Sequence, residues 1–457
     1  MLARLTQPLL ELIRRLLAHP LVRRVIRNSG YLLSASTFAA ILSMGQSALS
    51  ARILGVAGFG LLGTVTQLAA VVNGLTSFRM GQLVVSYVSE FNAKDQPRHA
   101  AAVFKAAGLA EIASSLVAYG LLLVCAPLAA RYLAPHDPGN SGLYVLYGLM
   151  ILGNLMAESS TGLLQVFNRF GLLAGITVGQ SALTLLLITA FFFTGGGLQQ
   201  VLIAYLVGKV AWALATTAAA LVEARRRWGA GWWRSPFSLL TDHRRELVRF
   251  AVNTNVTTSL NLVTRDSEIL WLSAFSTPEQ VGYYKLALAI RTLLTNPVDP
   301  LITTTYREVT REVAHRRWAD VRYLLRSGSL LSAAWTIPAS LGVVILGPWL
   351  ISSIWGSEFL PSYSILLILL VGVIVVNILY WNRNVLLPLG RPEYPTRVHL
   401  VAAVLKTLGV FVLVPRWGAS GMAVLLSGFY ATTSGVLVWK TADELHRAEK
   451  AAPEPLE

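Results

Sequence analysis

Long apolar segments alternate with short polar connections along most of the chain. An α-helix rises about 1.5 Å per residue, so each segment is long enough to cross a hydrocarbon core roughly 30 Å thick. The pattern predicts an all-α integral membrane protein with about twelve transmembrane helices. The predicted spans cover residues 29–51, 58–82, 101–125, 143–166, 171–193, 198–222, 247–272, 281–305, 325–347, 361–382, 395–414 and 418–439.

The stretch from residue 247 to residue 309 departs from this pattern because it places ionisable side chains among apolar ones. We predict one helix over residues 247–272 and a second over residues 281–305. Since residues three or four apart share a helix face, each helix should carry one polar stripe. Charges at membrane depth are costly unless they are paired or hydrated, so the stripes predict a polar cavity and hence a transporter. The two stripes are Asn255, Thr258, Asn261, Arg265 and Glu268, then Lys285, Thr292, Asn296 and Asp299.

The positive charge of the chain is distributed among the connections between spans. There are 38 Lys and Arg residues against 23 Asp and Glu residues, which gives a formal net charge of +15. The connections at residues 223–246 and 306–324 are rich in arginine. Because Lys and Arg favour cytosolic loops, the pattern predicts that these connections and both termini are cytosolic. Nucleic acid is not expected as a partner, since the charge is not gathered on a soluble surface.

A short internal similarity predicts two halves of like orientation. The sequence ATTAAALV at residues 215–222 is similar to ATTSGVLV at residues 431–438. The first lies at the end of the sixth predicted span and the second at the end of the twelfth. We therefore predict two six-helix bundles around a central cavity. The predicted regions are a basic amphipathic helix on the inner leaflet (residues 1–28), the first bundle (29–222), a basic cytosolic linker (223–246), the second bundle (247–439) and a cytosolic tail (440–457).

Three short motifs resemble one family of membrane proteins. They are Ala51-Arg52-Ile53-Leu54-Gly55 leading to Phe59-Gly60, Arg265-Asp266-Ser267-Glu268-Ile269-Leu270 followed by Glu279-Gln280-Val281-Gly282-Tyr283-Tyr284, and Gly418-Ala419-Ser420-Gly421-Met422-Ala423. Together with the twelve spans, they make the chain similar to the Wzx-like oligosaccharide-lipid flippases, the polysaccharide biosynthesis proteins of the multidrug/oligosaccharidyl-lipid/polysaccharide exporter superfamily. The resemblance implies two bundles around a cavity that opens to alternate faces. It also implies that an undecaprenyl-pyrophosphate-linked oligosaccharide moves from the cytosolic to the outer leaflet of a bacterial or archaeal inner membrane.

Moving a pyrophosphate through low dielectric requires a cationic cavity, for which arginine is suited because its fork meets two phosphate oxygens at once. Arg265 and Arg291 are the preferred contacts, although pairing with Glu268 and Asp299 respectively is the alternative for each. The candidate substrate-binding residues are Arg265, Arg291, Lys285, Arg79, Asn261 and Tyr284. The carboxylates Asp266, Glu268 and Asp299 are candidate carriers of a coupling ion, as are Glu111 and Glu158, because burial raises a carboxyl pKa. Partners of neighbouring cations are the alternative role for these five.

Other functions are weighed against this one. A cation-coupled exporter of drugs or small metabolites and a flippase of the peptidoglycan lipid precursor belong to the same superfamily. A membrane glycosyltransferase or polymerase would need a sizeable outer loop, whereas the outer connections here are short, so we expect no enzyme. The chain has no Walker-type loop, metal-ligand histidine spacing or Gly-x-Ser-x-Gly elbow, and no cofactor is expected. The expected partners are the lipid-linked oligosaccharide and membrane lipids, with a polysaccharide polymerase and glycosyltransferases as candidates.

Overall fold

The regular structure of the protein is helical throughout the residues that can be described. The computed structural model describes residues 20–77, 80–133, 141–262, 267–383 and 385–450, with side chains from Phe38 onward except at residues 253–254, 256–261, 300, 303 and 383. The helices are α1 (Pro20–Thr76), α2 (Met80–Ala93), α3 (Pro97–Leu133), α4 (Ser141–Gly153), α5 (Ala157–Val166), α6 (Phe170–Phe193), α7 (Leu198–Trp228), α8 (Arg244–Asn261), α9 (Glu268–Phe275), α10 (Pro278–Thr295), α11 (Asp299–Ala314), α12 (Trp318–Ile354), α13 (Ser362–Ile378) and α14 (Glu393–Lys450).

Seven helical segments within these residues are long and apolar enough to cross a membrane, judged by length and composition. Two of them, in α1 and α14, each contain two helices joined at a kink. The kinks lie at Gly55 and Gly418, whose φ angles are 64° and 53°. Glycine adopts this left-handed region without the steric cost that a Cβ would bring. With the shorter apolar helix α13, these segments confirm the predicted all-α integral membrane class.

Several predicted spans are interrupted. The second span is broken between α1 and α2, the fourth between α4 and α5, and the eighth between α10 and α11. In the tenth span, α13 gives way to a 3-10 turn at Tyr380–Arg383. Breaks are thus found at the second and fourth spans of each predicted half, and the seventh span is interrupted as well. The predicted division into bundles at 29–222 and 247–439 stays a prediction.

Two helices that we predicted as continuous are not. Ser267 is non-helical, so the helix predicted over residues 247–272 is not continuous, and its described parts are α8, to Asn261, and α9, from Glu268. The helix predicted over residues 281–305 is interrupted between Thr295 and Asp299. Pro297 explains the second break, because it has no N–H to donate and disfavours the helical conformation of the residue before it. The two predicted polar stripes are therefore each divided between separate helices.

The chain divides into two compact units. The amino-terminal unit is Ile41–Gly282, and the carboxy-terminal unit is Tyr283–Glu457 with the chain before Ile41. The core of the first is formed by α2, α3, α5 and α7, where Val84, Phe104 and Leu163 are fully buried. The core of the second gathers α11, α12 and the end of α14 around Val309 and Val321.

Glycines bring two pairs of backbones into contact within the amino-terminal unit. A Cβ at Gly60 would overlap the carbonyl oxygen of Pro278, and one at Gly282 would overlap that of Val56. Gly60 and Gly282 belong to the motifs that carry the family resemblance, so those motifs meet in the fold. A Cβ at Gly162 in α5 would likewise crowd the carbonyl oxygen of Gly81 in α2.

Candidate functional site

A buried carboxylate caps the helix that restarts within the fourth span. Glu111 of α3 is 7% exposed. Its Oε1 accepts a hydrogen bond from the backbone N–H of Glu158 (2.8 Å), and its Oε2 accepts from the N–H (2.9 Å) and the Oγ (2.6 Å) of Ser159. The first N–H groups of a helix have no partner inside the helix, and its N-terminus favours negative charge. Glu111 therefore stabilises the break between α4 and α5.

The next carboxylate connects this break to the one between α1 and α2. The Oγ of Ser77 donates to Oε1 of Glu158 at 3.0 Å. The Nδ2 of Asn255 donates to the carbonyl oxygens of Ser77 (2.5 Å) and Leu75 (3.2 Å). Backbone groups at membrane depth must find partners within the protein, and these contacts supply them. Asn255, predicted to belong to a polar stripe, thus has a local role in holding the end of α1.

A polar cavity of about 610 Å³ lies beside this network, between α2, α5, α7 and α8. Its aromatic lining residues are Trp212 and Phe250, and Glu158 is the one ionisable residue among its described lining residues. Gln82, Ser86 and Gln165 are exposed, whereas Glu158 and Thr161 are half-buried. The polar lining residues are Gln82, Ser86, Glu158, Thr161 and Gln165.

The break between α10 and α11 in the carboxy-terminal unit is satisfied by side chains of two other helices. The carbonyl oxygen of Leu294 accepts hydrogen bonds from Nδ2 of Asn377 (3.1 Å) and Nε1 of Trp335 (3.2 Å). The backbone carbonyl oxygen of Asn377 in turn accepts a hydrogen bond from Oγ of Ser332 at 2.7 Å. Asn377 is 4% exposed. These contacts hold α10, α12 and α13 together at the break.

We expect Asn377→Leu to destabilise the purified protein in detergent by about 1–3 kcal/mol, because it removes a buried donor and leaves the Leu294 carbonyl with fewer partners. The measurement is thermal unfolding followed by intrinsic fluorescence. Val371→Leu, on the exposed face of the same helix, is the matched control and should unfold as the wild type does. An unchanged midpoint for Asn377→Leu would contradict the role given to this amide.

Arg291 in α10 is held by an aromatic ring. Its Nη2 donates to the hydroxyl of Tyr430 at 2.6 Å, and its guanidinium carbon lies 5.2 Å from the centre of that ring. Its Nε is buried and has no hydrogen-bond partner in the described part of the chain. Arg291 forms no ion pair with any described residue, so Asp299, its alternative partner from the sequence, does not neutralise it. The positive charge at this site is therefore not cancelled by a carboxylate of the described chain.

The other predicted site residues are found in different settings. Lys285 is half-buried in α10, next to Tyr284, which is fully buried. The ring of Tyr284 has no exposed surface in this structure, and its contact with a sugar stays a prediction. Arg265, Asp266 and Arg79 lie outside the described residues, and Asn261 ends α8 with its side chain outside them.

Two of the predicted ion-coupling carboxylates lie, like Glu158, in the first turn of a helix. Glu268 lies in the first turn of α9, Asp299 in the first turn of α11 and Glu158 in the first turn of α5. Each of these helices starts just after a described residue that lies outside a helix, namely Met156, Ser267 and Val298. The helix dipole stabilises negative charge there, which gives all three carboxylates a structural role.

Sequence reasoning named Glu158 but missed the other cavity residues of α2 and α5. Gln82 and Ser86 are four residues apart, and Glu158, Thr161 and Gln165 are three and four apart, so each set lies on one helix face. This is the signal that we used for residues 247–309. It was available here as well, but it was weaker because Glu158 is the one ionisable member.

The fold defined by these helices is that of membrane transporters. The structure is similar to an inward-facing multidrug resistance MATE family transporter of the MOP superfamily, with a TM-score of 0.71 and 14% identity over 91% of this chain and 96% of that one. It is also similar to the lipid II flippase MurJ in an inward closed conformation, with a TM-score of 0.68 and 14% identity over 92% of this chain and 90% of that one. A MOP superfamily transporter from Pyrococcus furiosus has a TM-score of 0.66 at 13% identity, covering 96% of this chain and 98% of its own.

The chain belongs to the polysaccharide biosynthesis protein family, whose model matches residues 25–306. It is also similar to the inner membrane protein YghQ of Escherichia coli (strain K12), at 25% identity over 352 residues that cover 75% of this chain and 96% of that protein. The resemblance drawn from the sequence motifs is thus confirmed. Family and fold together identify a multi-pass membrane protein with the fold of these transporters and flippases.

Proposed function

We propose that the protein is a flippase that moves an undecaprenyl-pyrophosphate-linked oligosaccharide from the cytosolic to the outer leaflet by alternating access. It would serve the assembly of a cell-surface polysaccharide. Membership of the polysaccharide biosynthesis protein family supports the substrate class. The similarity of fold to a lipid II flippase supports the movement of a lipid-linked sugar.

The observation that carries this proposal is the setting of Arg291. A charge at membrane depth is costly unless something compensates it. The described contacts of Arg291 are the hydroxyl and the ring of Tyr430, and neither cancels its charge. Its guanidinium can still meet phosphate oxygens through further N–H groups. An anionic substrate group would supply the missing compensation.

The remaining candidate contacts come from the sequence. Arg265, Lys285 and Arg79 would join Arg291 at the pyrophosphate, and Asn261 would contact the sugar or phosphate oxygens. Asp266, Glu268 and Asp299 would carry a coupling proton or cation. The positions of Glu268 and Asp299 at helix starts offer each of them a structural role beside this one.

The proposed setting is a bacterial or archaeal inner membrane with both termini in the cytosol. Residues 1–28 would lie on anionic lipids of the inner leaflet. Glycosyltransferases would supply the substrate on the cytosolic side, and a polysaccharide polymerase would consume it on the outer side. A flippase for the peptidoglycan lipid precursor would use the same phosphate chemistry.

One observation favours a second candidate function. The described lining of the amino-terminal cavity contains a carboxylate, Glu158, and aromatic rings, without any cation. Such a cavity would suit a cation-coupled exporter of cationic drugs or small metabolites. Arg291 argues against this alternative in the other unit, because a cationic substrate would be repelled there.

The test is the leaflet distribution of undecaprenyl-pyrophosphate oligosaccharide in cells with and without the protein. We expect the lipid to accumulate on the cytosolic face when the protein is absent and to return to the outer face when the wild type is expressed. An unchanged lipid distribution combined with altered tolerance to cationic drugs would reject the flippase and favour the exporter.

A further inference from the structure

The amino-terminal cavity has no described cation for a phosphate, yet it is lined by polar groups. We propose that it binds the sugar part of the lipid-linked substrate, taking uncharged sugar residues through their hydroxyl groups. This proposal rests on the flippase function. It assigns the sugar to Gln82, Gln165, Glu158 and Trp212, and it leaves the phosphate to the cations named for that function.

The polar groups of the cavity have unused hydrogen-bonding capacity. In the described part of the chain, the amides of Gln82 and Gln165 and the indole N–H of Trp212 have no hydrogen-bond partner. Oε1 of Glu158 accepts a hydrogen bond from Ser77, whereas Oε2 of Glu158 accepts none from a described residue. A side-chain amide both donates and accepts, and a carboxylate has two acceptor oxygens, so each can bond neighbouring hydroxyls of one sugar ring.

The aromatic lining complements these groups. Trp212 of α7 and Phe250 of α8 line the same cavity, and Trp212 is half-buried. A sugar ring presents hydroxyls at its edge and an apolar C–H face, which fits against an aromatic ring with a polar tip. The volume of about 610 Å³ lies within the range of roughly 300–1,000 Å³ of small-molecule sites.

The wall that carries the amides is rigid. Gly81 and Gly162 hold α2 and α5 in backbone contact, and Gln82 and Gln165 follow these glycines on the two helices. Glu111 and Ser77 fix the position of Glu158. Helix backbones that are already in place lose little freedom when a ligand binds, which favours binding.

The negative charge of the cavity lining favours binding of the sugar over binding of the phosphate. Glu158 would repel a pyrophosphate at close range, and the described lining has no Lys, Arg or His to offset that repulsion. The position fits as well, because α2 and α5 end at Ala93 and Val166, close to Lys94 and Arg169, and Lys and Arg favour cytosolic connections. The cavity is therefore placed to receive a sugar headgroup from the cytosol.

The experiment measures binding of two probes to the purified full-length protein in nanodiscs. One probe is undecaprenyl pyrophosphate, and the other is the lipid-linked oligosaccharide extracted from cells that lack the protein. For Gln82→Ala combined with Gln165→Ala, we expect the sugar-bearing probe to bind about ten- to a hundredfold more weakly, with the sugar-free probe unchanged. Trp212→Leu should have the same selective effect. The exposed residues Gln199 and Trp349 provide the matched controls Gln199→Ala and Trp349→Leu.

The outcomes separate this inference from the flippase function. Equal weakening of both probes, or no weakening of either, would overturn the sugar site while leaving the flippase in place. A wild type that binds neither probe would overturn both. Ethidium serves as a third probe: binding of ethidium that is lost in Glu158→Gln, with the sugar-bearing probe unaffected, would make the cavity a cation site and overturn the sugar assignment.

Discussion

Replacing Arg291 with alanine should reduce outward movement of the lipid-linked oligosaccharide to the level of cells that lack the protein. The side chain is a partly buried cation of α10, and Tyr430 is its described partner. If the pyrophosphate is its counter-charge, its loss removes two or more charge-assisted hydrogen bonds, each worth about 1.5–3 kcal/mol. An effect of a hundredfold or more on transfer is therefore expected.

Three variants give this prediction its controls. Arg291→Lys keeps the charge and loses the planar fork, so we expect partial activity. Tyr430→Phe keeps the ring and removes the hydroxyl at 2.6 Å, so a small loss is expected. Arg416→Ala removes an exposed arginine near the Gly418 kink and should transfer lipid at the wild-type rate.

The measurement is the fraction of lipid-linked oligosaccharide accessible on the outer face, with protein amount checked by immunoblot of the membranes. Arg265→Ala should be assayed alongside, since the same role is proposed for it. Full activity of Arg291→Ala at normal protein level would remove Arg291 from the proposed site. Low activity of every variant, the control included, would indicate a failure of assembly.

Replacing Glu111 with alanine should give the largest loss of stability. The change removes the acceptor of three hydrogen bonds and leaves the N–H groups of Glu158 and Ser159 without a partner at membrane depth. Each orphaned group costs about 1–3 kcal/mol, so the free energy of unfolding should fall by roughly 2–5 kcal/mol. Glu111→Gln retains one acceptor oxygen and should lose about half as much.

Cys125 provides the measurement for this prediction, since it is the one cysteine of the chain and lies on α3 with Glu111. Its thiol is partly buried, and a thiol-reactive fluorophore will report its exposure during heating. Glu90→Ala, which removes an exposed carboxylate paired with Lys94, is the matched control and should leave the midpoint unchanged. Wild-type stability of Glu111→Ala would show that another group caps α5.

The local pattern of the sequence predicted a large part of this fold. The spans at residues 171–193 and 198–222 correspond closely to α6 (Phe170–Phe193) and α7 (Leu198–Trp228), because a long apolar run has one stable form in a membrane, a helix that satisfies its own backbone. The motif glycines at positions 60 and 282 were also informative, since their close backbone contacts admit no side chain. The family followed from such motifs.

The helix breaks and the partners of the buried polar groups depended on tertiary structure. Periodicity placed Asn255 and Glu268 on one stripe, but it could not show that Ser267 is non-helical and that α9 starts at Glu268, because the cost of a break depends on distant groups that take up its free carbonyls and N–H groups. Asn377 does this for Leu294 over 83 positions, and Glu111 does it for Ser159 over 48. Arg291 donates a hydrogen bond to Tyr430, which is 139 positions away, and does not pair with Asp299 on the next helix. Hydropathy is a sum over neighbouring residues, whereas these pairings arise only when the folded helices bring remote side chains within hydrogen-bonding distance.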